Sequence, residues 1–244
     1  MLRTTINLLG AALLASLNAS ACAADPMLQA RPAAVPLTLK TGFSQLTPKS
    51  HVYIPKDIAG AAPLLILLHG AGQQADPMLE TFRHQADERG LVLLALKSEA
   101  DTWTLKPAGD GADFGSDPAN LDAALRELFA KVPIDPERTA ILGFSDGASY
   151  ALSIGLANPQ LFRGVIALSP GTVWLSSQAD PKQKLLIAHG KQDEVLPITN
   201  VRDRIVPGLE KAGLKPQVRW FRGGHEMDRK AVEDGLDLVF GPKR

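Results

Sequence analysis

Two stretches of the chain carry no polar side chain at any position: Leu64-Leu65-Ile66-Leu67-Leu68 and Leu91-Val92-Leu93-Leu94-Ala95-Leu96. Successive side chains of a strand point to opposite faces, so a strand that is apolar throughout must be covered on both. Sheets of this kind are mostly parallel and carry helices on either side. Strands are expected at 36–40, 52–54, 63–68, 91–96, 139–143, 165–168, 184–188 and 217–221. Between them, Leu121, Ala124, Leu125 and Leu128 recur at i, i+3, i+4 and i+7, one stripe of a helix. Asn120 or Asp117 can cap that helix, and Pro133 ends it. Further helices are expected at 77–89, 146–157, 200–211 and 230–240. The alternation predicts an α/β fold: a three-layer sandwich around a mostly parallel sheet of about eight strands, with right-handed crossovers. Residues 37–244 read as one domain without internal repeats, and the Gly- and Asp-rich stretch 98–117 reads as its least ordered part.

Composition narrows the partners. Lys and Arg total 26, as do Asp and Glu, which leaves no basic excess to follow a phosphate backbone and argues against nucleic acid. With 45% hydrophobic residues the chain can bury a core, unlike a disordered polyelectrolyte. A single cysteine, Cys22, rules out an internal disulfide and a Cys-rich zinc site. A small molecule is the expected partner.

The N-terminus reads as a targeting segment. Arg3 precedes an apolar run from Leu8 to Leu17, followed by Ala19-Ser20-Ala21-Cys22-Ala23-Ala24. About ten apolar residues are too few to cross a roughly 30 Å hydrocarbon core as a helix. A charged start, a short apolar centre and small residues at the exit describe a secretory signal peptide over 1–24. Cleavage after Ala23 or Ala24 would leave a mature chain without cysteine, exported to the periplasm or medium. Ala19-Ser20-Ala21-Cys22 also resembles a bacterial lipoprotein box, in which Cys22 would be acylated and tie the chain to a membrane; Ala19 stands where such boxes usually have leucine. Residues 25–36, rich in Ala and Pro, read as a flexible tether.

The chemistry-bearing signal is Gly143-Phe144-Ser145-Asp146-Gly147, a Gly-x-Ser-x-Gly string preceded by an expected strand and followed by an expected helix. The turn is so sharp that side chains two residues either side of the serine would meet backbone. It lifts Ser145 to a helix N-terminus, where the dipole favours negative charge. A serine nucleophile needs a base, and the base an orienting acid. Downstream lie two histidines, His189 and His225. His225, in Arg222-Gly223-Gly224-His225-Glu226 after the strand at 217–221, is the candidate base, whereas His189 reads as structural. The acid is expected after the strand at 184–188; Asp193 is the first choice and Glu194 the second, and Asp180 precedes the strand at its wrong edge. Oxyanion donors are expected at the backbone N–H of Asp146 and at Ala71 N–H in His69-Gly70-Ala71-Gly72, with His69 bracing that loop. Trp103 and Trp174, on loops, are candidates for the substrate wall.

In their order along the chain these motifs resemble the α/β-hydrolase superfamily. They are similar in particular to lidless esterases of the phospholipase/carboxylesterase and polyhydroxybutyrate-depolymerase-like groups. The resemblance rests on Leu67-Leu68-His69-Gly70-Ala71-Gly72, Gly143-Phe144-Ser145-Asp146-Gly147, the tract from His189 to Pro197, and Gly223-Gly224-His225. It implies a serine hydrolase of carboxylic esters, acting through Ser145, Asp193 and His225 and an acyl-enzyme, with no metal or organic cofactor. About fifteen residues separate the strand ending near Leu168 from the one starting at Lys184, too few for a helical lid, so an open site is expected. Thioester, peptide and polyester bonds, or a binding protein on the same fold, are the alternatives.

Overall fold

Alternate side chains of the central strands enter two separate cores. Leu64, Ile66 and Leu68 pack with Val92, Leu94, Ile141 and Val165, while Leu65 and Leu67 pack with Leu93, Ala140, Leu142 and Ile166. All are sealed from solvent, as the unbroken apolar runs demand. The computed structural model describes residues 26–58, 60–109 and 111–243; the expected signal segment and Cys22 lie outside them.

The strands are β1 (Gly42–Thr47), β2 (Ser50–Ile54), β3 (Ala62–Leu68), β4 (Val92–Leu96), β5 (Lys106–Ala108), β6 (Gly111–Asp113), β7 (Ile134–Phe144), β8 (Gly164–Leu168), β9 (Lys184–Gly190) and β10 (Gln217–Phe221). Eight form one sheet in the order β1-β2-β4-β3-β7-β8-β9-β10, and β5 and β6 form a separate hairpin. From β4 to β10 every pairing is parallel; β1 and β2 extend the sheet antiparallel. The helices are α1 (Ala75–Arg89), α2 (Asp117–Phe129), α3 (Asp146–Ala157), a helical run made of α4 (Ile198–Asn200), a π-helical turn (Val201–Ile205) and α5 (Val206–Lys211), and α6 (Arg229–Phe240). α1 and α6 cover one face; α2, α3 and the run through Leu209 cover the other. The expected three-layer α/β sandwich is therefore the one observed, and residues 169–183 form no helical lid.

Register places the chemistry. Leu68 is level with Gly143, Phe144 with Leu168, and Gly190 with Phe221. The loops after β3, β7, β8, β9 and β10 consequently leave the same edge of the sheet, the usual position of a site in parallel α/β folds.

The N-terminal third departs from expectation. No strand forms at 36–40; the edge strand is β1, a half-buried polar segment paired with β2 through the turn at Pro48 and Lys49. Its sequence lacks the apolar run that marks interior strands, because an edge strand covers only part of one face. The stretch expected as a flexible tether is docked at its start. Leu28 is buried, and its N–H donates to Asn158 Oδ1 at 2.8 Å. The N–H groups of Gln29 and Ala30 both donate to Asp122 Oδ1, at 2.6 and 2.7 Å. Within 98–117, Trp103 and Phe114 are buried, and Phe114 meets Tyr150 edge-on.

Candidate active site

β7 ends and α3 begins without a spacer residue other than Ser145. Ser145 has φ 57° and ψ −117°, a left-handed conformation that costs a non-glycine residue about 1–3 kcal/mol. The surroundings hold it there. Its N–H donates to Leu168 O across to β8 at 2.8 Å, and its carbonyl accepts from Ala148 and Ser149 at 3.0 and 3.1 Å. A Cβ on Gly143 would overlap the Gly147 carbonyl, and one on Gly147 would overlap the carbonyls of His69 and Leu68. Both glycines are thus imposed by close backbone approach.

Ser145 Oγ lies 2.7 Å from His225 Nε2, and His225 Nδ1 lies 2.7 Å from Asp193 Oδ2. The Asp193 side chain is fully buried and that of His225 is 16% exposed. Asp193 Oδ1 accepts from the N–H groups of Val195 and Leu196, at 3.0 and 2.8 Å. Burial opposes ionisation of this carboxyl. The Leu196 N–H, the His225 hydrogen bond and charge, and the Val195 N–H outweigh it and hold the group below the usual carboxylate range. An ionised Asp193 fixes the imidazole with Nδ1 protonated, leaving Nε2 free to accept the serine proton. His189, buried, directs Nε2 to Leu196 O at 2.7 Å and lies 3.3 Å from Asp193 Oδ2; it braces the acid loop. Glu194 is exposed, and Asp180 sits before β9, at the sheet's opposite edge.

The loop after β3 abuts the serine: a Cβ built on Gly70 would lie 3.4 Å from Ser145 Cβ. His69 Nε2 accepts the Ser98 N–H at 3.1 Å, so its proton is on Nδ1, which donates to Gly70 O at 2.8 Å. Burial pushes this imidazole down, favouring the neutral form. Gln73 N–H also binds Gly70 O, at 3.1 Å. A planar trans peptide whose carbonyl is held on one side presents its N–H on the other, and that N–H is Ala71's, on an exposed residue. The Asp146 N–H opens α3 and has no carbonyl one turn back within the helix. Gln73 was not singled out from sequence, since its role depends on the turn it closes.

The two tryptophans part company. Trp103 is 4% exposed and forms no open wall. Its backbone N–H donates to Asp146 Oδ2 at 2.7 Å, its Nε1 to His69 O at 2.8 Å, and its ring lies against those of His69 and Tyr150. A large ring whose single donor finds a carbonyl is best buried, so Trp103 props the elbow from behind. Trp174 is half-buried in the loop after β8, its N–H bound to Ser153 Oγ at 2.8 Å. Two residues that sequence reasoning passed over shape the site. Ser149 Oγ accepts the N–H groups of Gly171 and Thr172, at 2.9 and 3.3 Å, tying that loop to α3. Gly190 lies under the His225 loop, where a Cβ would overlap the carbonyls of Gly223 and Gly224. Among the described residues no three His, Cys, Asp or Glu side chains are grouped to hold a metal.

Comparison with known proteins follows the same lines. The profile of the phospholipase/carboxylesterase family matches residues 99–238, more than half of the chain. An acetylxylan esterase of Coprinopsis cinerea is 28% identical over 130 residues, 50% of this chain and 33% of that protein. An S-formylglutathione hydrolase of Rattus norvegicus is 27% identical over 202 residues, 61% of this chain and 71% of that one. The chain thus spans about a third of the length of the first of these relatives. Among solved structures, esterase PE8 superposes with a TM-score of 0.63 at 23% identity, over 82% of this chain and 98% of its own, a likeness of fold.

Proposed function

The chain belongs to the phospholipase/carboxylesterase family, and from that premise we propose that it is an exported serine hydrolase of carboxylic esters acting through Ser145, His225 and Asp193. Ser145 Oγ attacks the ester carbonyl as His225 Nε2 takes its proton. The carbonyl oxygen becomes an oxyanion, received by the N–H groups of Asp146 and Ala71. His225 then passes its proton to the leaving alcohol, and the acyl-serine remains. A water activated by the same imidazole releases the acid and restores Ser145. Asp193 keeps the imidazole in the tautomer that accepts from serine and stabilises its cation.

The observation that carries this reading is the pair of 2.7 Å hydrogen bonds linking Ser145, His225 and Asp193 on a serine held in a left-handed elbow. The test compares hydrolysis of p-nitrophenyl acetate and butyrate by the protein and by Ser145→Ala. A loss of about 10³-fold or more is expected; equal rates would reject the assignment. The similarity to a hydrolase named for a formyl thioester favours thioesters as a second substrate class, which a matched thioester series would reveal. Export rests on the segment from Met1 to Ala24. The mass of the mature N-terminus separates cleavage after Ala23 or Ala24 from acylation at Cys22, and a full-length cytoplasmic product would exclude both.

A further inference from the structure

The two oxyanion donors stand on different elements, and one loop bonds to both sides. Ala71 N–H belongs to the loop after β3, and Asp146 N–H to the first turn of α3. In the sheet β4 lies beside β3, with β7 beyond it. A loop leaving β4 must therefore cross the end of β3 to reach α3, about 10 Å at the usual strand spacing. Residues 98–103 make that crossing. On the β3 side, Ser98 N–H donates to His69 Nε2 at 3.1 Å, Gly72 N–H donates to Asp101 O at 2.7 Å, and Trp103 Nε1 donates to His69 O at 2.8 Å. On the α3 side, Trp103 N–H donates to Asp146 Oδ2 at 2.7 Å. Trp103 thus grips both halves at once.

These bonds fall on the groups that flank each donor. The peptide that carries the Ala71 N–H has its carbonyl, Gly70 O, held by His69 Nδ1 and Gln73 N–H. The following peptide has its N–H, that of Gly72, held by Asp101 O. With both planes pinned, the Ala71 N–H has little freedom to turn. The His69 carbonyl held by the indole also presses on α3, since a Cβ on Gly147 would overlap it. That carbonyl is trapped between Gly147 and Trp103, so the indole sets how closely the β3 loop approaches the elbow. The indole itself is fixed by burial between the rings of His69 and Tyr150, with centroids 5.1 and 5.2 Å away. Donors fixed beforehand for a charge that develops only in the transition state raise kcat rather than tighten substrate binding.

We propose that Trp103 is a positioning residue of the oxyanion hole: its indole N–H on His69 O and its backbone N–H on the Asp146 carboxylate set the separation of the Ala71 and Asp146 donors. The inference deepens the esterase reading and rests on it.

The test begins with Trp103→Phe, which keeps an aromatic ring against His69 and Tyr150 and removes the indole donor. A misplaced donor costs less than a missing one, so kcat for p-nitrophenyl butyrate is expected to fall about 10- to 100-fold, with KM and the pH profile unchanged. Butyl trifluoromethyl ketone reads the hole itself: Ser145 Oγ adds to its carbonyl carbon, the serine proton passes to His225, and the carbonyl oxygen becomes an oxyanion facing the two donors. Its Ki should rise by the factor by which kcat falls. A fall in kcat without a change in Ki, or no change in either, overturns the proposal. If Trp103→Phe does not fold, benzothienylalanine in place of Trp103 exchanges the N–H for sulfur in a ring of the same shape, and the same outcomes apply. The second link is tested without touching the ring. Asp146→Ala removes the acceptor, Asp146→Asn keeps an oxygen there, and both retain the backbone N–H. Activity and inhibitor affinity should fall in Asp146→Ala and return in Asp146→Asn; wild-type values in Asp146→Ala refute the link. Failure of the esterase reading looks different, because the ketone would then form no adduct and Ser145→Ala would hydrolyse esters as fast as wild type.

Discussion

Asp193→Asn separates orientation of the base from its mere presence. Two backbone N–H groups, of Val195 and Leu196, converge on Asp193 Oδ1, so the amide oxygen of asparagine must take that place. Its NH2 then replaces Oδ2 and faces His225 Nδ1, where the carboxylate now sits at 2.7 Å. The flipped rotamer would set a donor against two donors. With an NH2 opposite it, Nδ1 must accept, which puts the imidazole proton on Nε2, facing Ser145. A protonated Nε2 cannot take the serine proton. The expected loss in kcat is about 10⁴-fold, roughly 5.5 kcal/mol of transition-state stabilisation. The fold should survive, since the replacement is nearly isosteric. Steady-state hydrolysis of p-nitrophenyl acetate near pH 8, with circular dichroism on the same samples, reads both. A correctly folded variant that loses less than about tenfold would show that the tautomer is not set by residue 193. Acid stability offers an independent check. Asp193 is held below the usual carboxylate range, so its contribution is present above that range and is lost as pH falls through the lower folded value. The Tm gap between wild type and Asp193→Asn should therefore close on acidification.

Asp146 carries the opposite sign. Burial pushes its carboxyl up, against the Trp103 N–H, so its ionised form opposes folding and the penalty fades as the pH drops. Asp146→Asn can still accept from Trp103 and leaves the backbone N–H in place. It should raise Tm at pH 8, with the gain vanishing toward pH 4 in a thermal-shift series; a lower Tm at pH 8 would contradict this. Asn158, fully buried, joins Leu28 N–H to the carbonyls of Pro26 and Ile154. Asn158→Ala should cost about 1–3 kcal/mol in urea unfolding and speed cleavage by subtilisin within residues 26–31. An unchanged midpoint and cleavage rate would show that the segment is not held there.

The parts legible in the sequence are those whose physics is local or strictly periodic. The unbroken apolar runs of β3 and β4 fixed a doubly covered sheet, and Leu121, Ala124, Leu125 and Leu128 marked the buried stripe of α2. The glycines flanking Ser145 signalled an elbow because the close approach that excludes a side chain spans only five residues. Trp103 misled for the complementary reason. Its burial depends on the carbonyl of His69 and the carboxylate of Asp146, 34 and 43 residues away, and no window on the sequence contains both. The start of the supposed tether is held by Asp122 and Asn158, which lie in or beside helices folded much later in the chain. β1 was missed because an edge strand with one partner needs no apolar run.

The three side chains are brought together by crossing strands rather than by following them. Ser145 follows β7 and His225 follows β10, three strands away, about 14 Å at the usual spacing. The chain after β10 must therefore turn inward over the ends of β9 and β8. Gly190 permits this, for a side chain there would occupy the space of the Gly223 and Gly224 carbonyls. Once inward, the loop is stitched to the acid loop: Lys191 N–H donates to Phe221 O and Gln192 N–H to Gly223 O, both at 2.9 Å. Asp193 and His225 are thus carried on one hydrogen-bonded pair of loops, and Ser145 on a separate elbow anchored to β8 through Leu168 O. Geometry within the acid–base pair is set by those two loops and by His189 of β9, which holds Leu196 O. The reach from His225 to Ser145 depends in addition on how far β8 and β9 hold the elbow from the loops. Displacement of the loop pair would accordingly lengthen the contact to Ser145 before it disturbed the contact to Asp193, so in the proposed mechanism the proton transfer from Ser145 is the step most exposed to changes in packing beneath the site.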